Sequence, residues 1–312
     1  SKEETLSDLK DALADQIVAA KVASTYIKKC RELLGAVEQD GRIHASFNPM
    51  QARTGRFSTS KPNLQSIPRG HMRDCFRARP GFKLVDADYS QIELRAAAAI
   101  AGETKMIDAY KNGVDLHKQT ASEVLNKPLE DVTKQDRQIS KATNFGLLYG
   151  QSAPGLVRYA ASSYGVQLEL DQAEQIRRQF FRTYGHLRQW HGESRNKADA
   201  GAREVRTVMG RRRLIPNTAS EWERFTALVN TPVQGGCADG MKQALVLIAQ
   251  RLPAEARLIS TVHDEVLVEA PEAMANEVRD LVQATMIEAM AALFPQVPIE
   301  VEAGSCSNWG EK

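Results

Sequence analysis

Two pairs of carboxylates stand where apolar strands should end. In "LVDADY" (84–89) an apolar run delivers Asp86 and Asp88, and in "TVHDEVLV" (261–268) two β-rich runs surround Asp264 and Glu265. Strand side chains alternate, so Asp86 and Asp88 share one face. Acids in such places are costly unless solvated or paired with a cation. Carboxylate oxygens suit Mg²⁺, which keeps some of its waters and binds substrate phosphates as well. Two ions ~3.5–4 Å apart would clamp the attacking and leaving oxygens of an in-line phosphoryl transfer. Neither cluster alone separates a metal site from a solvated turn, and periodicity does not choose between Asp86 and Asp88.

A second pattern could serve the same chemistry. In "DRQISKATNFGLLYG" (136–150), Arg137, Lys141, Phe145 and Tyr149 recur at four-residue steps. The segment has good helix formers, with Gly150 where a C-terminal cap belongs. On a helix the four form a winding stripe roughly 120° wide and ~18 Å long. A plain amphipathic helix would turn the cations to water and the aromatics to the core. Against that, Gly146 costs ~1 kcal/mol in mid-helix, and Ile139, Leu147 and Leu148 already supply core positions. A ligand with a polyanionic end and a flat end fits the stripe better. Cations take the phosphates of a nucleoside triphosphate, and an aromatic ring takes the base.

These residues need a frame. The chain has 312 residues, 42% hydrophobic and 26% charged, as ordinary globular proteins do, and length alone suggests about two domains or one multi-lobed unit. There is no run of ~18 apolar residues, and the polar start "SKEETLSDLKDALADQ" is no targeting signal. Cys30, Cys75, Cys237 and Cys306 are scattered without a CxxC pair, which fits a reducing compartment. The net charge of +2 hides an asymmetry: residues 41–80 hold eight cations and one acid, and residues 261–312 hold ten acids and two cations. The basic segment reads as a polyanion surface or a solvated face. Apolar spacing predicts one or two helices over 6–34 and helices over most of 91–202 and 221–251. Residues 48–70 read as an ordered loop or broken strands, 204–216 and 256–271 as hairpins, and 272–293 as a last helix before a strand near 297–304. Strands at both ends bracket a helical insertion, a sheet-based lobe interrupted by a helical one.

In this order the blocks resemble family A DNA polymerases, the bacterial DNA polymerase I group. "DYSQIELR" (88–95) resembles the family's motif A, "RQISKATNFGLLYG" (137–150) its motif B and "VHDE" (262–265) its motif C. "TGRFSTSKPNLQSIP" (54–68), "GVDLHKQTA" (113–121), "GRRRLIP" (210–216) and "NTPVQG" (230–235) match as well, and the resemblance covers roughly residues 22–310. It implies an α+β right-hand core with an antiparallel-sheet palm (41–105 and 220–312) and helical fingers (106–219). Residues 1–40 would be the end of a thumb that is otherwise largely missing.

The resemblance also implies roles. Asp88 and Asp264 would be the metal-binding catalytic aspartates of a site with two Mg²⁺ ions (Mn²⁺ as an alternative), Glu265 an accessory acid and Asp86 a bystander. Arg137 and Lys141 would hold the triphosphate, with Lys141 the proton donor to pyrophosphate, and His117 would add a phosphate contact. Phe145, Tyr149, Gln91 and Glu93 would complete the dNTP site, with Glu93 filling the space of a ribose 2′-OH. Arg56, Asn230, Gln234, His263 and Arg73 would meet primer-template DNA, and Arg77 and Arg211 to Arg213 are further phosphate candidates. The implied reaction is templated addition of dNTPs to a primer 3′-OH in the cytoplasm, in a nucleoid or a phage-infected cell, without proofreading by this chain. Thumb and exonuclease parts would come from a longer parent chain or a partner chain. A single-subunit RNA polymerase relative and a catalytically degenerate DNA-binding or assembly module are the alternatives. One departure stands out: many relatives carry Arg four residues before the Asn of "NTPVQG", where this chain has Thr226.

Overall fold

The computed structural model describes residues 11–68 and 70–311. Helix α1 (Ala12–Leu34) starts where Asp11 accepts hydrogen bonds from the backbone N–H of Leu13 and Ala14 and stops at Gly35. It is one helix, and the expected turns over 6–10 lie outside the described residues. Strands β1 (Ser46–Asn48) and β2 (Ser58–Ser60) pair within the Pro/Gly/Ser-rich stretch, followed by the single turn α2 (His71–Asp74).

The site is built on a four-stranded antiparallel sheet of order β6-β7-β3-β8. β3 (Phe82–Tyr89) is central, flanked by β7 (Glu265–Pro271) and β8 (Val301–Cys306), with β6 (Arg257–Val262) at the edge beyond β7. Two sequence-distant segments therefore share one sheet, and the register sets Asp88 opposite both Glu265 and Glu302. One sheet face packs on helix α12 (Ala275–Ala291). Val278, Val282, Met286 and Met290 recur every four residues and are completely buried in the core that also holds Val85, Ala87, Val266 and Val268. Apolar residues at that spacing form one helical stripe.

Between β3 and β6 the chain is mostly helical, as the spacing predicts. Helices α3 (Ile92–Ala101), α4 (Thr104–Lys111) and α5 (Leu116–Leu125) lead to α6 (Lys134–Leu148), the stripe helix. Helices α7 (Ala153–Tyr164), α8 (Leu170–Thr183) and α9 (Gly185–Asp199) follow. The hairpin of β4 (Glu204–Arg206) and β5 (Arg212–Leu214) precedes α10 (Glu221–Asn230) and α11 (Gly236–Arg251). One wide π-type turn, Thr231–Gly235, joins the last two. It contains Pro232, whose missing N–H removes a regular helix bond. Such turns cluster at functional sites, and this one carries Gln234.

The stripe helix opens with a reciprocal cap. Thr133 Oγ1 accepts from the Asp136 N–H at 3.1 Å, and the Asp136 carboxylate accepts from the Thr133 N–H at 3.0 Å. Gly146 has a packing reason: a Cβ there would come within 2.7 Å of Gln151 Oε1 and 3.3 Å of Leu156 Cδ1 on α7. Gly150 is required twice over, by a φ of +79° and by the Phe225 ring 2.4 Å from where a Cβ would stand.

Candidate active site

The hairpin turn at His263 and Asp264 is drawn against the end of β3, where the Tyr89 N–H donates to the Asp264 carbonyl at 3.2 Å. The Tyr89 hydroxyl in turn donates to the Met286 carbonyl of α12 at 2.6 Å, pinning that strand end to the core. This junction brings Asp88 and Asp264 together. Burial, and then the negative charge of Asp88, push the Asp264 carboxyl up to about 6. Like charges held together in a half-buried corner favour binding a proton or a cation.

The backbone around the pair is held in an unfavourable form. Of the four non-glycine residues with left-handed backbone among the described residues, two flank the acids: Gln91 at φ 52° and His263 at φ 59°. Such conformations cost about 1–3 kcal/mol and collect at functional sites. The Gln91 side-chain carbonyl accepts from the Tyr110 hydroxyl at 3.3 Å, which fixes it at the start of α3.

The stripe does not follow the amphipathic pattern. Arg137, Lys141, Phe145 and Tyr149 are all half-buried, while Ser140, Ala142, Thr143, Asn144, Gly146, Leu147 and Leu148 are buried. Cations and aromatics thus line one partly open wall. Arg137 Nε donates to Asp115 at 2.7 Å, and Asp115 also caps α5. Lys141 has no carboxylate partner among the described residues.

Glu93 joins wall to sheet. Its carboxylate accepts from the Tyr149 hydroxyl and from Arg56 Nη2. Burial, then the Glu93 charge, hold the Tyr149 phenol well above its ordinary range, so it stays a neutral donor. The charges of Arg56 and Glu93 both reach Asp264, which connects this triad to the acid pair. Gln234 reaches the same phenol. Asn230, nearby on α10, has its side-chain carbonyl enclosed without a hydrogen-bond partner among the described residues.

Several of the expected site residues already have partners inside the fold. Arg73, expected at a DNA phosphate, is buried beneath the sheet's acid end, with its guanidinium 3.9 Å above the Trp309 ring and 3.3 Å from Glu265 Oε2. Glu265, expected as an accessory acid, is 4% exposed, and Trp309 Nε1 donates to its Oε1 at 2.6 Å. Its carboxylate is thereby engaged in a buried ion pair. Glu265→Ala would strand the Arg73 charge and is expected to cost about 3–5 kcal/mol. Chemical denaturation measures this, and a loss under about 1 kcal/mol would refute the structural role. His117, expected at a phosphate, is 3% exposed, its Nδ1 3.0 Å from Asn144 Nδ2, and burial pushes its pKa down to about 4. Arg211 is held by Asp239 at 2.6 Å and by the Thr54 carbonyl at 2.7 Å.

The basic segment is also less free than its composition suggests. Arg42 and Arg79 pair with Glu269, and Arg73 with Glu265, so acids of the C-terminal segment neutralise part of it inside the fold. Sequence reasoning missed Arg95, inside the motif A block. It is 2% exposed and bonds the carbonyls of Ser90 and Pro298 and the Glu300 carboxylate, fastening α3 to the sheet end.

The donor set bears on a metal. Among the described residues no three His, Cys, Asp or Glu side chains form a cluster able to hold one. Two carboxylates whose mutual repulsion already raises a proton affinity fit a Mg²⁺-like ion that keeps water and takes substrate phosphates as further ligands.

An α+β core with a carboxylate pair at its sheet end, faced by a helix of cations and aromatics, is the architecture of a polymerase domain. The model for DNA polymerase family A matches residues 1–311, and the chain belongs to that family. It is 38% identical over 298 residues to DNA polymerase I of Aquifex aeolicus, covering 94% of this chain and 50% of that protein. It is 39% identical over 305 residues to DNA polymerase I of Pseudomonas aeruginosa, covering 94% of this chain and 32% of that one. The chain thus spans half or less of the length of these curated relatives. Among solved structures, the POL domain of Pol1 from M. smegmatis, in complex with DNA primer-template and dNTP, superposes with a TM-score of 0.87 at 33% identity. The match covers 99% of this chain and 56% of that one.

Proposed function

We propose that this chain extends the 3′-OH of a primer on a DNA template with dNTPs, releasing pyrophosphate. The observation that carries this reading is the linked set Asp88, Asp264, Arg56, Glu93 and Tyr149, which ties the acid pair to the cationic and aromatic wall of α6. The sheet and its flanking segments, 41–105 and 220–312, serve as the palm, and the helices of 106–219 as the fingers. The cytoplasm is the compartment this reading implies; no helix among the described residues is long and apolar enough to cross a membrane.

Asp88 and Asp264 would hold Mg²⁺, which when bound supplies Lewis-acid polarisation of the α-phosphate and a more acidic 3′-OH. Lys141, without a carboxylate partner among the described residues, neutralises the triphosphate and hands its proton to the departing pyrophosphate. Arg137 adds a second charge by exchanging Asp115 for phosphate oxygens. Phe145 packs on the sugar and base, and Tyr149 closes the templating position. Glu93 fills the space a 2′-OH would need and keeps the Tyr149 ring in place. Arg56, Asn230 and Gln234 donate to minor-groove acceptors present in every base pair, which checks pair geometry without reading sequence. His263, exposed at the hairpin tip, meets the primer end.

The test is single-nucleotide extension of a labelled primer-template with each dNTP and rNTP in turn. Mg²⁺-dependent addition of the templated dNTP, with the matching rNTP used poorly, is the expected result. Preferential rNTP use, or no extension at saturating primer-template, would overturn the reading.

A further inference from the structure

Arg211 stands in the turn of the β4–β5 hairpin, away from the acid pair. Its N–H donates to Thr207 Oγ1 at 3.1 Å, and its carbonyl accepts from the Thr207 N–H at 3.0 Å. From this turn its guanidinium reaches three other segments at once. Nε donates to Asp239 Oδ1 of α11 at 2.6 Å, and Nη2 donates to the Thr54 carbonyl at 2.7 Å and the Gly235 carbonyl at 3.2 Å. The chain leaves room for the group on both sides. A Cβ on Gly55 would stand 2.4 Å from the guanidinium carbon, and one on Gly235 would stand 2.9 Å from Nη2.

The guanidinium is anchored in α11. Asp239 is 7% exposed, and its Oδ2 is enclosed without a hydrogen-bond partner among the described residues, so its charge leans on Arg211. Removing the cation from such a pair leaves a costly buried carboxylate. Lys242, about one turn further along α11, donates to the Pro49 carbonyl at 2.7 Å and ties the same N-terminal stretch a second time. Burial, and then the charge of Arg211, lower its proton affinity, which sets both cations at one corner. A planar fork donates in fixed directions from one rigid group, and an ammonium on a flexible stem does not reproduce this.

The two bonded carbonyls flank the proposed minor-groove donors. Thr54 lies two residues before Arg56, and Gly235 directly follows Gln234. Arg56 donates to Glu93, and Gln234 reaches the Tyr149 phenol that also bonds Glu93. One guanidinium therefore holds together the backbones that carry both side chains. We propose that Arg211 is a positioning residue that sets the separation of Arg56 and Gln234, so that both meet groove acceptors only when the primer end is correctly paired. Small displacements of positioning groups have large effects on rate. The proposal rests on the polymerase reading for its DNA. The clasp itself requires only the fold.

Two measurements test it. Arg211→Lys keeps the charge and loses the fork, and Asp239→Asn keeps an oxygen acceptor and loses the charge. Hydrogen exchange read by mass spectrometry should show amides of 52–58 and of 231–236 exchanging about tenfold faster in each variant, with β3 and β7 unchanged. Single-nucleotide extension should show kcat/KM from a matched primer end falling only about two- to threefold, while the preference for matched over mismatched ends falls about tenfold. Unchanged exchange in the two stretches would overturn the clasp. Faster exchange with equal losses from matched and mismatched ends would make Arg211 a structural brace and overturn the proposal. Extension by the natural chain is read separately. Its absence, with the local gain in exchange present, defeats the polymerase reading and leaves the clasp standing.

Discussion

Asp264→Asn should be more stable than the natural chain at pH 8 without divalent metal, and should extend primers at least about a thousandfold more slowly. The two effects have one cause. Asp264 sits in a half-buried corner facing the charge of Asp88, and its carboxyl is raised to about 6 from an ordinary value of 3.8. A carboxylate raised in the folded state stabilises the fold least when ionised. The sign is therefore that its contribution is fully present below about pH 3.8 and is lost as pH rises to about 6. Two pK units bound the cost at about 3 kcal/mol, and the lost attraction to Arg56 reduces what the variant recovers. The asparagine chain should gain about 1–2 kcal/mol above pH 6, a rise of a few degrees in Tm, and the gain should fade toward pH 4. Thermal melts in EDTA across that range measure it. Adding Mg²⁺ should raise the Tm of the natural chain and leave that of the variant nearly unmoved, since a ligand stabilises only the form that binds it. A variant that is no more stable at pH 8, or that still extends primers, would remove Asp264 from the centre of the site.

How far the site could be read in advance depended on the range of the interactions. Strand alternation and the two β-rich runs located the two acidic clusters, because a strand end is a local pattern, and only the family resemblance chose Asp88 and Asp264 within them. Their pairing was not local: it required β3 and β7 to be neighbours, with Asp88 in register with Glu265. The stripe was legible from four-residue spacing, and its half-burial is what a wall facing a ligand space would have. Arg137 with Asp115, and Glu93 with both Arg56 and Tyr149, are pairings over 22 to 56 residues that no periodicity encodes. Arg73 illustrates the reverse case. Composition placed it in a basic segment, and tertiary structure buried it under Trp309 against an acid 192 residues away. The π-turn at Thr231–Gly235 was hidden inside a helical pattern, although Pro232 was its visible trace.

Glu93→Ala should admit ribonucleotides. The natural side chain is fixed by two donors from separate parts of the fold, Arg56 in the segment before β2 and Tyr149 at the end of α6. A carboxylate held from both sides cannot swing away to make room, so in the proposed dNTP site it would exclude a 2′-OH by shape as well as by lost pairing. Steric discrimination of this size is worth roughly 10- to 200-fold. The alanine variant should raise rNTP kcat/KM by that factor, with dNTP kcat/KM falling only about two- to fivefold. Glu93→Gln separates shape from charge. It keeps the volume and an acceptor for Tyr149 but loses the ion pair with Arg56, so it should retain most of the rNTP exclusion while melting at a lower temperature. If Glu93 merely braces the fold, the alanine variant should lose dNTP and rNTP use in equal proportion. That equal loss in steady-state incorporation would sink the sugar-discrimination role. A gain confined to rNTPs requires a side chain that touches the sugar. It would also place the nucleotide between Glu93 and the α6 wall, where Lys141 and Arg137 could reach its phosphates.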